Sequence, residues 1–214
     1  MNIKKETKRR SFVLAGARLF TEKGYSNVSV DAIAAEACAS KVTFYNYFDS
    51  KEALFEAVVL EARYPALQRI GALPHDGNDL WQILSDTGVE YLHMKLSPEV
   101  IATDRLVIAE ATRLPALARL YYASGPSQTV AVLETLMGHL LERGLLAAAA
   151  SARTMALHFM SLCESCIYVR QVWGLDDVPT DEQLTTNVKA AVYAFIGAYA
   201  APAYRDCVPS TDAA

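Results

Sequence analysis

An all-α fold is predicted by three observations. Apolar residues recur three and four apart through nearly every stretch, no stretch alternates with period two, and the interruptions fall at Gly, Pro or cap residues. The helices divide into an N-terminal three-helix domain over residues 1–50 and a helical-bundle domain over residues 51–205. The first helix of the bundle, 51–70, links the two, and residues 206–214 read as a disordered tail.

Taking the elements in order, Lys4 to Lys23 forms the first helix. Phe12, Ala15, Leu19 and Phe20 make its apolar stripe, and Gly24 stops it. The basic residues at its start are expected to fray. Ser29 caps a second helix, with Asp31 in the first turn and Ala32, Ile33 and Ala34 small or apolar for close packing. Ala37–Ala39 make a tight break. Ser40 then caps a short helix to about Phe48, on which Phe44 and Phe48, four apart, point inward. Asp49 and Glu52 have capping-box spacing and open the long helix that runs to about Ile70.

Two short helices joined by a three-residue turn, the second rich in hydrogen-bonding side chains, make a helix-turn-helix. Its partner is double-stranded DNA. Ser29, Ser40, Lys41, Val42, Thr43, Tyr45, Asn46, Tyr47 and Lys51 are the candidate contact residues. Hydroxyls of Tyr and Thr reach phosphates, while Val42 or a Thr methyl can touch a thymine methyl. Lys51, at the start of its helix, is expected to contact a phosphate.

Beyond a loop at 71–77, residues 78–96 form one helix, and Ser97-Pro98 starts another that Pro115 breaks. A short helix reaches about Tyr122, Gly125-Pro126 punctuates, and the next helix ends at Arg143 before Gly144. Ser151 caps a long helix to Trp173, stopped by Gly174. Thr180 and Gln183 have capping-box spacing for the last helix, which ends near Pro202.

Charge is unevenly distributed along the 214 residues. The whole chain carries −4, but residues 1–51 carry +4 and the remainder −8, so the basic footprint coincides with the helix-turn-helix. Hydrophobic content of 52% points to a buried partner surface or an internal apolar pocket. No segment has the apolar length of a membrane span, and the start does not read as a secretory signal, so a cytoplasmic protein with reduced thiols is expected.

The run Ala32-Ile33-Ala34 followed by Ser40-Lys41-x-Thr43-Phe44-Tyr45-x-Tyr47-Phe48-x-Ser50-Lys51-Glu52-Ala53-Leu54-Phe55 resembles the TetR family of bacterial transcription regulators. The likeness extends back through Phe12, Leu19-Phe20 and Gly24-Tyr25 and covers about the first 58 residues. Cys38 stands where that family usually has Gly, and a left-handed conformation there costs a non-Gly residue roughly 1–2 kcal/mol. Val42 replaces a residue that is often small, which bears on base preference. Residues 101–126, IATDRLVIAEATRLPALARLYYASGP, resemble the effector domain of the AefR-like subgroup.

The resemblance implies a homodimer, formed by the last two long helices in a four-helix interface, and a small-molecule effector. Phe195 and Ile196 are the residues expected to face the partner protomer. Trp81, Tyr91, Met94, Arg113, Met137, Phe159 and Met160 lie on helices that surround a ligand cavity in similar proteins. Arg105, Glu110 and Arg113 either pair with one another or meet a polar ligand group. Cys163 and Cys166, one turn apart among apolar residues, read as core packing, and Cys38 as the cysteine better placed for redox chemistry. No metal site, cofactor or catalytic residue is expected, because no nucleophile elbow, phosphate loop or H-E-x-x-H is present. The reading is a ligand-responsive DNA-binding regulator, a repressor released from a palindromic operator by a small apolar or amphipathic effector. The alternatives are an activator of the same type, or a helical ligand-binding or enzymatic protein with a vestigial helix-turn-helix.

Overall fold

The computed structural model of the protein describes residues 3–73, 77 and 79–205. Helices α1 (Ile3–Lys23), α2 (Val30–Glu36), α3 (Lys41–Tyr45) and α4 (Lys51–Ala72) are followed by α5 (Leu80–Lys95) and α6 (Pro98–Glu110). Then come α7 (Pro115–Ser124), α8 (Pro126–Glu142), α9 (Ala152–Trp173) and α10 (Asp181–Tyr199). Among the described residues there is no strand, only an isolated antiparallel bridge between Leu146 and Ala200. The fold is all-α, as predicted. The tail at 206–214, and Pro74, His75 and Asp76 of the expected loop, lie outside the described residues.

The chain forms two compact units, one of residues 1–63 and 98–126, the other of residues 64–97 and 127–214. Helices α6 and α7 therefore group with the N-terminal helices. In the first unit, one core joins the two sequence-distant parts: Phe12, Leu19, Phe20, Ile33, Phe44, Phe48, Leu54 and Phe55 are buried together with Val107, Leu117 and Tyr121. Each large apolar side chain buried here contributes about 1.5–3 kcal/mol. Phe12 meets Phe44 edge-on at 5.5 Å and Phe48 at 6.3 Å, geometries the ring quadrupole favours. Helices α1 and α4 approach closely at Gly16, where a Cβ would lie 2.8 Å from Leu54 Cδ2.

The N-terminus of α4 corrects the expected capping box. Ser50, not Asp49, is the cap, its Oγ accepting from the Ala53 amide at 3.1 Å. Glu52 instead accepts from the Tyr25 hydroxyl at 2.9 Å. Pro65 lies inside α4, which continues through it to Ala72. A proline there removes one N–H from the ladder at a cost of about 3 kcal/mol, offset by burial of Ala66, Leu67 and Ile70 on the same helix.

In the second unit α5, α9 and α10 pack on one another. Thr180 and Gln183 form the predicted capping box, with both reciprocal bonds present. Phe195 and Ile196, expected at a partner surface, are 0% and 1% exposed within the protomer. Phe195 packs on Phe159 at 5.3 Å and Tyr199 at 5.0 Å. The helical period places both on the inner stripe, and the outer stripe of α10 is Ala190, Tyr193, Ala194, Gly197 and Ala198, all exposed.

Helix α9 is not continuous. Ser165 has φ 41° and ψ −138°, which kinks the helix. Asn187 Nδ2 donates to the Cys163 carbonyl at 2.6 Å, beside the break. The kink separates the two cysteines in environment. Cys163 is buried as expected, whereas Cys166 is exposed and is not core packing.

Candidate nucleic-acid interface

The turn between α2 and α3 determines where the second helix points. Ala39 N–H donates to the Ala34 carbonyl at 2.9 Å and Cys38 N–H to the Ala35 carbonyl at 3.0 Å. Those two bonds define a Schellman motif, whose residue after the cap must be left-handed. That residue is Cys38, with φ 49°. The conformation anticipated from the family's usual Gly is thus adopted by a cysteine, at a strain of roughly 1–2 kcal/mol.

Lys8 completes the turn. Its Nζ donates to the carbonyl of Ala37 at 2.8 Å and of Cys38 at 3.1 Å. These carbonyls close α2, where a cation also suits the helix dipole. Lys8 is thus fixed to the turn and does not belong to the frayed basic arm expected at the start of α1. The missed signal is its register: Lys8 stands four residues before Phe12, so it extends the apolar stripe of α1 toward the turn. Arg9 likewise lies over the Phe48 ring, 5.2 Å from its centroid.

Both short helices are capped as predicted. Ser29 Oγ accepts from the Ala32 amide and Ser40 Oγ from the Thr43 amide, each at 3.1 Å. These serines order the helix starts, and Ser40 Oγ also lies 2.9 Å from Thr43 Oγ1. Phe44 and Phe48 point inward, 0% and 4% exposed. The opposite face of α3 presents Lys41, Val42, Tyr45 and Asn46, all exposed, and Val42 is 73% exposed. Thr43 and Tyr47 sit half-buried at its margins, and Tyr47 packs against Phe12 at 5.7 Å. Lys41 Nζ bonds Asp31 Oδ2 at 2.9 Å, and that hydrogen bond holds its pKa above the usual lysine value. A phosphate would compete with this exposed pair, which is worth little in water.

Lys51 is turned inward rather than out along the helix start. Its Nζ donates to the Tyr25 and Val28 carbonyls, both at 2.9 Å, and lies 4.2 Å from the centre of the Tyr25 ring. Desolvation lowers its pKa. Two of its three N–H groups are therefore engaged by the protein. Burial, reinforced by Glu52, pushes the Tyr25 phenol well above the usual tyrosine range. Glu52 is held below the usual carboxylate range, first by its backbone hydrogen bond and also by Tyr25.

Helix α4 is anchored within this unit by Arg63. Its guanidinium, 3% exposed, lies 3.4 Å from Asp104 Oδ1 on α6, also 3% exposed. It also hydrogen-bonds the Tyr121 hydroxyl on α7, which donates in turn to Asp104. Neither the burial of Arg63 nor its partners 41 and 58 residues away could be read from local periodicity.

The candidate effector residues fall into two groups. Tyr91, Met94, Met137 and Phe159 are buried in the second unit, and Trp81 and Met160 are half-buried there. Tyr91 hydroxyl donates to Glu164. Arg113 belongs to the first unit, is exposed, and pairs with Glu110 at 3.0 Å, which is one of the two outcomes foreseen for it. A groove of about 1000 Å³ in the second unit is lined instead by residues of α9, α10 and the segment between them, including Ile167, Gln171, Val178 and Asn187. Burial pushes the Cys163 thiol up to about 12, which makes it a poor nucleophile or metal ligand at neutral pH. No group of three or more metal-ligating side chains occurs among the described residues.

Family comparison decides what this geometry belongs to. Residues 13–58 match the model of bacterial regulatory proteins of the tetR family, and residues 82–201 match the C-terminal domain of AefR-like transcriptional repressors. The chain belongs to the TetR family. A TetR-family regulator from Mesorhizobium loti superposes with a TM-score of 0.80 at 25% identity, covering 93% of this chain and 100% of that one. The flavonoid-responsive regulator FrrA superposes with a TM-score of 0.76 at 33% identity, covering 91% of this chain and 98% of that one. An uncharacterized HTH-type transcriptional regulator of Mycobacterium bovis is 29% identical over 133 residues, 62% of each chain. The chain thus spans less than two thirds of the length of that curated relative. The two matched models are those of bacterial transcriptional regulators. No helix among the described residues is long and apolar enough to cross a membrane.

Proposed function

We propose that this TetR-family regulator is a ligand-released repressor that binds a palindromic operator as a homodimer in the cytoplasm. The observation that carries the reading is the exposed face of α3, with Lys41, Val42, Tyr45 and Asn46 outward and Phe44 and Phe48 locked inward. A short helix so presented enters the major groove. Thr43, Tyr47, Ser29, Ser40 and Lys51 flank it, and Lys51 has one N–H left for a phosphate. Repression is supported by the match to AefR-like repressors.

Dimerisation uses the outer stripe of α10, Ala190, Tyr193, Ala194, Gly197 and Ala198, with Leu157 of α9. Small residues beside one exposed aromatic suit close helix packing. Two protomers then place two recognition helices on half-sites of one operator.

The effector is a small amphipathic molecule, and the name of the flavonoid-responsive relative makes hydroxylated aromatics the first class to try. It contacts the Trp81, Tyr91, Met94, Met137, Phe159 and Met160 region and releases DNA by binding one conformation better than the other. The test uses a duplex selected by the protein from a randomised library, challenged with a panel of flavonoids, fatty acids and simple phenols. Release by one class, with stoichiometric binding by calorimetry, is the expected result. DNA affinity unmoved by any compound that calorimetry shows to bind would contradict ligand release.

A further inference from the structure

We propose that Lys8 is a positioning residue for DNA recognition, holding a cysteine-containing turn that would otherwise relax and re-aim α3. The inference rests on the DNA-binding reading above.

The turn carries two features that do not support each other. Its Schellman hydrogen bonds require a left-handed residue after the cap, and Cys38 fills that place with φ 49°. A residue with a Cβ resists this conformation, so the turn has a cheap escape into a right-handed one. Such a change would swing α3, whose cap Ser40 lies two residues on. Lys8 opposes the escape. Its ammonium accepts no bond; it donates to the carbonyls of Ala37 and Cys38 at 2.8 and 3.1 Å. Those two carbonyls converge on one nitrogen only while the peptide between them keeps its present orientation. The clamp reaches the turn across 29 and 30 residues of sequence from α1, an element that the Phe12 contacts to Phe44 and Phe48 already fix to α3. Lys8 Nζ also lies 5.7 Å from the centre of the Phe12 ring, so its stem follows the rigid part of the core.

A lysine near DNA is usually assigned to a phosphate. The two roles differ in salt dependence. Loss of one phosphate contact lowers the slope of log affinity against log salt by about 0.9. Loss of a clamp lowers affinity and leaves the slope unchanged.

The experiment measures affinity for the duplex selected by the parent protein, across a salt series, for Lys8→Met, Lys8→Arg, Cys38→Gly and the Lys8→Met/Cys38→Gly pair. Helical content and melting are checked by circular dichroism, so that affinities compare folded molecules. Lys8→Met is expected to bind about tenfold more weakly, the loss of hydrogen bonds from a charged donor, with an unchanged slope. Lys8→Arg keeps two donors and retains most of the affinity. Gly at 38 holds the left-handed turn without strain, so Cys38→Gly binds like the parent and restores most of the loss in the pair. A slope lowered by about one unit in Lys8→Met, or a pair no better than Lys8→Met alone, overturns the proposal. If the parent selects no duplex, the DNA-binding reading fails and the proposal falls with it. If Lys8→Met does not fold, Lys8→Arg and a Lys8→Arg/Cys38→Gly pair decide: weak binding by Lys8→Arg that the added Cys38→Gly does not correct overturns the clamp.

Discussion

Replacing Asp104 with Ala should cost this protein a large part of its stability. Asp104 and Arg63 have side chains only 3% exposed, and Tyr121 is 8% exposed. Removing the carboxylate leaves the Arg63 guanidinium buried without its counter-charge. It also takes away the acceptor of the Tyr121 hydroxyl. Breaking a buried ion pair from one side costs about 3–5 kcal/mol, and an orphaned hydroxyl about 1–3 kcal/mol. The three groups form one network, so the costs overlap and the larger range alone is the expectation. Against the usual 5–15 kcal/mol for a folded domain, this would leave the first unit marginal. The measurement is urea unfolding followed by circular dichroism, with Arg63→Met/Asp104→Leu as the comparison. Apolar replacement of both partners is expected to recover most of the loss, because the pair's own desolvation cost goes with it. A loss below about 1 kcal/mol for Asp104→Ala would show that Arg63 is compensated elsewhere and would refute the anchoring role given to this pair.

Three other perturbations give sharp expectations. Tyr193→Asp, on the exposed stripe of α10, should yield folded monomers by sedimentation, whereas Phe195→Asp, 0% exposed, should unfold the protomer; a folded monomer from Phe195→Asp would reverse the assignment of faces. Lys51→Ala loses hydrogen bonds to two backbone carbonyls and should be destabilised by about 2 kcal/mol, with the salt slope of DNA binding falling by about 0.9 if its third N–H meets a phosphate; full parental stability would be inconsistent with the inward-facing amine. The Tyr25 phenol titrates higher when folded than its ordinary value of 10.0. Its contribution is therefore complete below pH 10 and is lost as pH rises above it, so Tyr25→Phe should show a shallower alkaline fall in melting temperature than the parent, and parallel curves would argue against it.

The all-α architecture was readable because helix starts and stops are written locally. Ser29, Ser40, Ser151 and Thr180 each cap the helix that they were expected to cap. The inward turn of Phe44 and Phe48 followed from their spacing of four, although α3 ends at Tyr45 and not near Phe48 as expected; the strain at Cys38 was legible only through the Gly that the resembling family usually has there. What escaped depends on partners distant in sequence. Lys8, Lys51 and Arg63 are cations that periodicity assigns to solvent, yet each finds acceptors 23 or more residues away. The same limit put Phe195 and Ile196 at a partner surface, although the protomer itself buries them. They are the most apolar residues of α10, and an apolar residue serves a core and an interface equally well. The kink at Ser165 has no local signal either, since no Pro or Gly marks it.

The central claim, that α3 reads DNA, is tested most directly by selecting duplexes from a randomised library with the intact protein and repeating the selection with Tyr45→Ala. The account predicts that the parent enriches a two-fold symmetric sequence whose half-sites lie about one helical turn apart, with affinity falling steeply as salt rises. Tyr45→Ala should bind that sequence more weakly while its fold is unchanged. No enrichment by a folded parent, or an identical sequence and affinity from Tyr45→Ala, would contradict it.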